Sequence, residues 1–467
     1  MTDRVKAAGA DAGVGDAPEQ PSSVNWNRRV WRIAAPIMLA NVSTPLLGIV
    51  DTAVIGQLPG AYYIGAVAVA AQIFTVVYWG FGFLRQGTSG FTAQSLGADN
   101  PDQVRAFYLR GLTLAAVIGL GLIVLQTPIL WGALQIIGPS DQVGELAREY
   151  FLIRIWGAPA TLAAYVTLGW FVGTQNARAA LMIQVFVNGL NIVLDLVFVI
   201  GFEWGVPGVA AATLISEVVG AAVGIVMVYR YANRIGGRWR IDLVRHWSAL
   251  RKMLSVNRDI MLRTLAMEVV FVSLAAIGAR LGDDILAANA LLLLLQTFMA
   301  AGLDAFADAA ESLSGHAYGR RDPAQFTAAV RAAAIWGGVF ALPFSVAYWL
   351  FGGFIIDFIS VTPSVRELSR EFLPWAALLP LISVWCFLLD GVYLGLSQAR
   401  TMRNAMIISV AIYIAGVGFA VDALGNHGLW LAFSIFMAMR GVTLAWRFPA
   451  LVALIDKGPQ HLHAQAT

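Results

Sequence analysis

Charge and cysteine are both scarce in this chain of 467 residues. Only 13% of its residues are Asp, Glu, Lys or Arg, against about a quarter in soluble domains, whose surface faces water. The single cysteine, Cys386, excludes an internal disulfide and any site built from several cysteines. Five scattered histidines form no HExxH pattern, so the sequence predicts no metal centre of that type and no cofactor.

Hydrophobic residues make up 58% of the chain, and the mean hydropathy is +0.71. A chain this apolar has most of its surface against lipid, which indicates a polytopic membrane protein. The net charge of +3 is explained by basic loops that set membrane orientation, so we expect no nucleic-acid partner. Residues 1–24 are rich in Gly, Ala, Pro and Asp and lack an apolar core, which predicts a disordered tail rather than a cleaved signal peptide.

Apolar stretches of about 20 residues, the length that crosses roughly 30 Å of hydrocarbon, recur along the chain. They predict an all-α membrane protein with twelve transmembrane helices. Buried strands of a soluble α/β protein are excluded by the length of the runs and by the absence of alternating polar linkers. The predicted spans lie near 30–56, 62–94, 106–136, 145–174, 179–201, 206–229, 257–281, 284–314, 325–351, 364–396, 402–422 and 427–454.

Basic residues are distributed unevenly between the junctions of these spans. The 230–263 segment holds nine Arg and Lys residues, including Arg258 and Arg263, whereas the junctions at 57–61, 202–205 and 423–426 hold none. Basic loops remain cytoplasmic, which predicts cytoplasmic termini in a bacterial inner membrane. A lipid or nucleic-acid patch is the alternative interpretation of the 230–263 segment.

An internal repeat divides the chain. QSLGADNPDQ at 94–103 and HAYGRRDPAQ at 316–325 share Gly, Pro and Gln at a spacing of 222 residues, and GTQNAR at 173–178 matches GLSQAR at 395–400 at the same spacing. An even number of spans per repeat predicts two six-helix lobes related by a pseudo-two-fold axis along the membrane normal. The predicted parts are a disordered cytoplasmic tail (1–24), an N-terminal lobe (25–235), a basic cytoplasmic linker (236–256), a C-terminal lobe (257–455) and a cytoplasmic tail (456–467).

Two carboxylates lie within predicted spans of the first lobe. Asp51 lies in the first span and Asp195 in the fifth, where spacings of three and four residues put Asn188, Asn191 and Asp195 on one helix face. Together with a hydroxyl such as that of Thr213, these groups can share one proton or chelate a small cation, and their oxygen ligands suit Na⁺ and H⁺ equally. A hydrogen-bonded polar patch between helices is the structural alternative.

The second lobe has a candidate acidic site of its own, formed by Glu268, Asp304, Asp308 and Asp390. Asp304, Asp308 and Glu311 are spaced i, i+4, i+7, which predicts one acidic stripe on the eighth span. A functional role and a structural role are both open for this set. Because the charge within the spans is mostly acidic, we expect cationic or neutral cargo.

Pro36 and Pro45 interrupt the first span. An interior proline removes a backbone hydrogen bond and kinks the helix, which leaves a static kink and a moving hinge as alternatives. The position of Asp51, about four turns beyond Pro36 on the same helix, favours the hinge.

Four segments resemble the multidrug and toxic compound extrusion (MATE) family, specifically its DinF-like branch. They are PLLGIVDTAVIGQL at 45–58, GFLRQGTSGFTAQSLG at 82–97, NIVLDLVFVIGFEWGVPGVAAAT at 191–213 and LDAFADAAESLSGHAYGRRD at 303–322. The resemblance covers about 30–455. It implies a V-shaped pair of lobes that exports organic, cationic or amphipathic compounds in exchange for H⁺ or Na⁺.

The resemblance also implies roles for individual residues. Asp51 is then the cation-coupling residue, with Asn191, Asp195 and Thr213 as its partners, and Pro36 is the proline at which the first helix bends. Na⁺, if it is the coupling ion, would bind to the same four side chains as the proton. The acidic pair of another branch's second lobe is echoed by Glu268 and Asp390.

The sequence therefore predicts a transporter rather than an enzyme. We expect a monomer surrounded by membrane lipids, with a small organic substrate and no cofactor beyond the coupling ion. Within the same superfamily, a flippase for a lipid-linked sugar is the alternative. An intramembrane enzyme would need a nucleophile–base pair or a metal set inside a span, and the sequence shows none.

Overall fold

The computed structural model describes residues 25–58 and 60–459, which are almost entirely helical. The predicted tail at 1–24 and most of the predicted tail at 456–467 lie outside the described residues. The first half contains α1 (Trp26–Ile55), α2 (Ala61–Trp79), α3 (Phe83–Gly97), α4 (Pro101–Val124), α5 (Gln126–Ile137), α6 (Asp141–Arg154), α7 (Ala158–Gly173), α8 (Ala177–Asp195) and α9 (Gly205–Ile235). A short helix, α10 (Ile241–Val244), is followed by α11 (Trp247–Leu281), α12 (Asp283–Arg320), α13 (Pro323–Ile359), α14 (Pro363–Gly395), α15 (Ala399–Leu424) and α16 (Asn426–Val452).

Twelve membrane crossings can be counted in the described part of the chain. Eleven helical segments there are long and apolar enough to cross a membrane, and α1, with 30 residues, supplies the first crossing. Two crossings are each built from two consecutive helices: α2 with α3, and α6 with α7. The predicted all-α fold with twelve spans is confirmed.

The start of α11 differs from the sequence-based prediction. This helix begins at Trp247, within the range predicted as a linker, and continues without a break for 35 residues. Arg263 lies in the middle of it and is only 6% exposed. The predicted span 257–281 already contained Arg263, so its inclusion among the loop charges of 230–263 was wrong; no helix-breaking residue separates it from the apolar run that follows.

Loop geometry repeats between the two halves. Asp99 and Arg321, 222 residues apart, both adopt the left-handed backbone conformation, with φ of 50° and 56°. Each lies just before a helix with proline in its first turn. In the first half, the Asn100 side chain accepts a hydrogen bond from the Gln103 backbone N–H at 3.1 Å. In the second half, the Asp322 side chain accepts one from the Gln325 backbone N–H at 2.9 Å. Such caps satisfy donors that a helix start leaves unpaired. The sequence repeat is therefore also a repeat of local structure.

The two halves contact each other at the end where these loops lie, which we call the closed end. Gly97 and Gly319 have no side chain because one would collide with the backbone of the opposite half, at His316 and Gln94 respectively. Further from this end, Ser312 donates to the Val172 carbonyl at 2.7 Å. Small residues allow helices to approach this closely.

The segment between the halves is bound to the first half. The Arg105 guanidinium on α4 donates to the Gly236 carbonyl at 2.9 Å and stacks over the Trp239 ring at 4.9 Å. The buried Arg110, one helix turn further, donates to the Leu243 carbonyl. Asp102 at the start of α4 accepts from the Arg238 backbone N–H at 2.7 Å. Residues 236–244 are thus fixed to α4.

Candidate functional site

The carboxyl groups of Asp51 and Asp195 meet inside the first lobe. Asp51 lies on α1, and Asp195 is the last residue of α8, immediately before a π-helical turn at Leu196–Gly201. Asp195 is fully buried, and the two carboxyl groups are within hydrogen-bonding reach of each other. Among the described residues, no N–H or hydroxyl group donates to either oxygen of Asp195. π-Helical turns of this kind are frequent at functional sites.

Asparagines extend the polar face of α8. Asn188, Asn191 and Asp195 are all buried, as expected for one inward face, and Asn188 donates to the Ser43 hydroxyl of α1 at 3.0 Å. The Asn191 amide nitrogen is buried and has no partner among the described residues. Thr213 on α9 donates to the Val209 carbonyl of its own helix at 3.0 Å, which leaves its oxygen available only as an acceptor.

A cavity of about 610 Å³ adjoins these residues and is lined by both Asn191 and Thr213. Its charged wall is an ion pair between Arg154 and Glu217, at 3.0 Å, and the Thr161 hydroxyl donates to the same carboxylate at 2.8 Å. Arg154 was missed in the sequence analysis, although a single arginine inside the apolar run YFLIRIW was a visible signal.

A second cavity, of about 530 Å³, lies in the C-terminal lobe and reaches the first lobe at α3. Asp304, Asp308 and Asp390 all line it, so three members of the candidate acidic site are brought together. Glu268 lies on α11 but is absent from the lining. The acidic stripe of α12 continues into the cavity as far as Glu311.

Arginines neutralise much of this acidic set. Arg85 of α3 pairs with Asp308 at 2.7 Å, across the two lobes. Asp390 accepts from two arginines at once, Arg263 at 3.0 Å and Arg440 at 2.8 Å. The cavity lining thus holds four acidic residues and three arginines, so most of the acidic charge is offset. Arg440 is the only charged residue in the apolar run SIFMAMRGVTLAW. This pattern already indicated a charge within the membrane, but the sequence analysis did not include Arg440 among the candidate residues.

Comparison with known proteins identifies the family. A family model described as MatE matches residues 36–197 and 260–421, one segment in each half of the chain. The "DNA damage-inducible protein F" of Escherichia coli K12 is 42% identical over 428 residues, which cover 90% of this chain and 92% of that protein. The chain belongs to the MatE family.

Other MatE proteins agree with this assignment. The "Probable multidrug resistance protein NorM" of Rhizobium meliloti is 26% identical, over 91% of this chain and 94% of its own length. A crystal structure of a MATE protein in complex with MaD3S superposes with a TM-score of 0.83 at 20% identity, covering 92% of this chain and 97% of that one, which shows a common fold. As a member of the MatE family, this chain is a multi-pass transporter and not an enzyme.

Proposed function

We propose that this MatE protein exports organic compounds across a bacterial inner membrane in exchange for protons, with Asp51 and Asp195 as the coupling pair. The observation that supports this most directly is the contact between the two carboxyl groups in a buried site. Two ionised carboxylates repel each other, and neither is a donor. Their contact is stable when one proton is shared between them.

A proton is favoured over a sodium ion by the same contact. One shared proton joins two carboxyl groups without any further ligand. A sodium ion would need several further oxygen ligands; the Asn188 amide oxygen already accepts from Gln184, which leaves the Thr213 hydroxyl oxygen nearby.

Loss of the shared proton would change the packing of two helices. Asp51 belongs to α1, and Asp195 lies at the junction of α8 with its π-helical turn. A deprotonated pair repels, so each protonation state favours a different arrangement of these helices, which is what coupling requires. Pro36, on α1, is the proposed hinge for this change, although α1 is continuous through it from Trp26 to Ile55.

The contacts between the lobes support alternating access. Asn27 and Trp336 are hydrogen-bonded at 3.1 Å near the closed end, and the contacts continue to Asn41 and Ala301, at 2.9 Å. The closed end carries the basic loops, which favours the cytoplasmic side for it and an outward-facing state for this structure. Both cavities are then proposed to communicate with the outside.

The substrate is proposed to be a small organic compound. Cavities of about 300–1,000 Å³ are typical for such ligands, and both cavities are within this range. The names of relatives such as NorM refer to multidrug resistance and do not favour a lipid-linked sugar flippase.

Transport in inverted membrane vesicles tests the proposal. Uptake of a cationic rhodamine ester should follow an imposed proton gradient and not an imposed sodium gradient. Asp51→Asn and Asp195→Asn keep the shape of the side chains but cannot release a proton, so each should fold and lose gradient-driven uptake. Asp284→Asn, at an exposed position near the start of α12, is the matched control. Wild-type, gradient-dependent rates in Asp51→Asn at equal protein level would end the coupling proposal.

A further inference from the structure

The positive part of the second cavity is built around Asp390. Arg263 and Arg440 donate to the same oxygen, Oδ2, at 3.0 and 2.8 Å. One carboxylate thus faces two guanidinium groups, which leaves an excess of one positive charge. The three side chains are 14% exposed or less and all line the cavity.

Both arginines retain unused hydrogen-bonding capacity. The Nε–H groups of Arg263 and Arg440 are buried and have no acceptor among the described residues. Arg440 is held in place, because its guanidinium lies against the Phe387 and Phe436 rings and donates to the Met437 sulfur at 3.3 Å. The Nε–H groups are enclosed, so a ligand in the cavity would accept from the remaining guanidinium N–H groups of these two lining side chains.

The wall formed by α12 has the opposite charge. Within the part of the chain that the structure describes, Asp304 has no ion-pair partner within 4 Å, whereas Asp308 pairs with Arg85. One turn further, Glu311 carries a buried oxygen, Oε1, without a hydrogen-bond partner among the described residues. Asp304 and Asp390 are close enough to influence each other electrostatically, so the two walls belong to one site.

Apolar side chains also line the cavity, among them Trp79, Met267, Phe271 and Leu293. We propose that this cavity binds zwitterionic amphipathic compounds, with their anionic group at Arg263 and Arg440 and their cationic group at Asp304 and Glu311. An oxyanion would accept from the guanidinium N–H groups that face the cavity, and charge-assisted hydrogen bonds to guanidinium groups are among the strongest in proteins. This inference deepens the proposed transport function, because it names the class of cargo.

Two probes that differ in one charge can test the site. Rhodamine B carries a free carboxylate beside its cationic ring system, and its ethyl ester has the same ring system without the anion. Fluorescence anisotropy with the purified, full-length protein in a maltoside detergent measures binding of each. The wild type should bind rhodamine B at least about fivefold more tightly than the ester.

Three cavity variants should shift binding in different directions. Arg440→Gln should weaken rhodamine B by about tenfold, the effect of one charge-assisted hydrogen bond, and leave the ester within about twofold. Asp390→Asn removes the internal competitor for both arginines and should strengthen rhodamine B binding. Asp304→Asn should weaken both probes, since both are cationic. Arg280→Gln, at an exposed position near the end of α11, is the control and should change neither.

The opposite effects of Arg440→Gln and Asp390→Asn distinguish a binding site from a merely structural ion cluster. If the cluster only stabilises the fold, both variants lower the binding of both probes, and the proposal is overturned. Equal wild-type affinity for the two probes would overturn it as well. The natural zwitterion could be a lipid headgroup or a soluble compound, and competition with dihexanoylphosphatidylcholine distinguishes the two. Displacement of rhodamine B by this short-chain lipid assigns the site to a lipid headgroup. No displacement assigns it to a soluble cargo. Binding requires no ion gradient, so these results are independent of the proton-coupling proposal.

Discussion

Replacement of Gln94 by leucine should weaken the closed end of the protein. Gln94 is fully buried on α3, and its amide nitrogen donates across the lobes to the Gly395 carbonyl at 2.7 Å and to the Ser397 hydroxyl at 2.8 Å. Leucine has a similar size but no donor. The variant therefore loses both hydrogen bonds and leaves the Gly395 carbonyl without this partner.

The size of the effect follows from these two hydrogen bonds. Each buried neutral hydrogen bond contributes about 0.5–1.5 kcal/mol net, so the closed state should lose about 1–3 kcal/mol relative to a state in which the lobes are separated at this end. This loss corresponds to a shift of about fivefold to 150-fold in the ratio of the two populations. Because leucine has nearly the volume of glutamine, the overall fold should be retained.

Electron–electron distance measurements between spin labels at positions 178 and 320 can detect the shift. These exposed positions lie on opposite lobes near the closed end. Under conditions in which the wild type gives both a short and a long distance, Gln94→Leu should increase the long-distance fraction. Gln142→Leu, at an exposed position on α6, should leave it unchanged. An unchanged ratio in Gln94→Leu would refute the view that these hydrogen bonds hold the lobes together.

Two further predictions concern topology and the first helix. Cysteines introduced at Gly236 and Arg320 should react with an impermeant maleimide only from the cytoplasm. Cysteines introduced at Gly60 and Gly425 should react only from outside. If the cysteines at positions 236 and 60 were labelled from the same side, the span assignment would be contradicted. The substitution Pro36→Ala restores a backbone hydrogen bond worth about 1 kcal/mol and so straightens the helix. If Pro36 is a hinge, the transport rate of the variant should fall about fivefold. A normal transport rate in a well-expressed variant would indicate a static kink.

The fold was largely predictable because its signals are local. A helix that crosses a membrane must satisfy its backbone within itself, so an apolar run of sufficient length identifies it without knowledge of its neighbours. The turns at Asp99 and Arg321 are likewise determined by nearby sequence. Each left-handed residue lies in a short motif that contains the side chain capping the next helix. Even the face shared by Asn188 and Asp195 depends only on helical spacing.

The sites were less predictable because they depend on contacts between distant segments. Arg263 and Asp390 are 127 residues apart in the chain, and no pattern in either helix indicates that they meet. Arg263 also follows a series of loop arginines, so its charge looked like part of the loop. The contact between Asp51 and Asp195 joins α1 to α8; two carboxylates within spans of one lobe suggested it, and the family resemblance implied it more specifically.

The attachment of residues 236–244 to α4 has a consequence for biosynthesis. Arg105 and Arg110 belong to the third crossing, yet their carbonyl partners at Gly236 and Leu243 are synthesised more than 120 residues later. Until then, two guanidinium groups that are buried in the finished protein must remain hydrated at the membrane surface, since burial without acceptors is strongly unfavourable. The first lobe thus completes its folding only when the connecting segment has left the ribosome, just before the second lobe begins to insert.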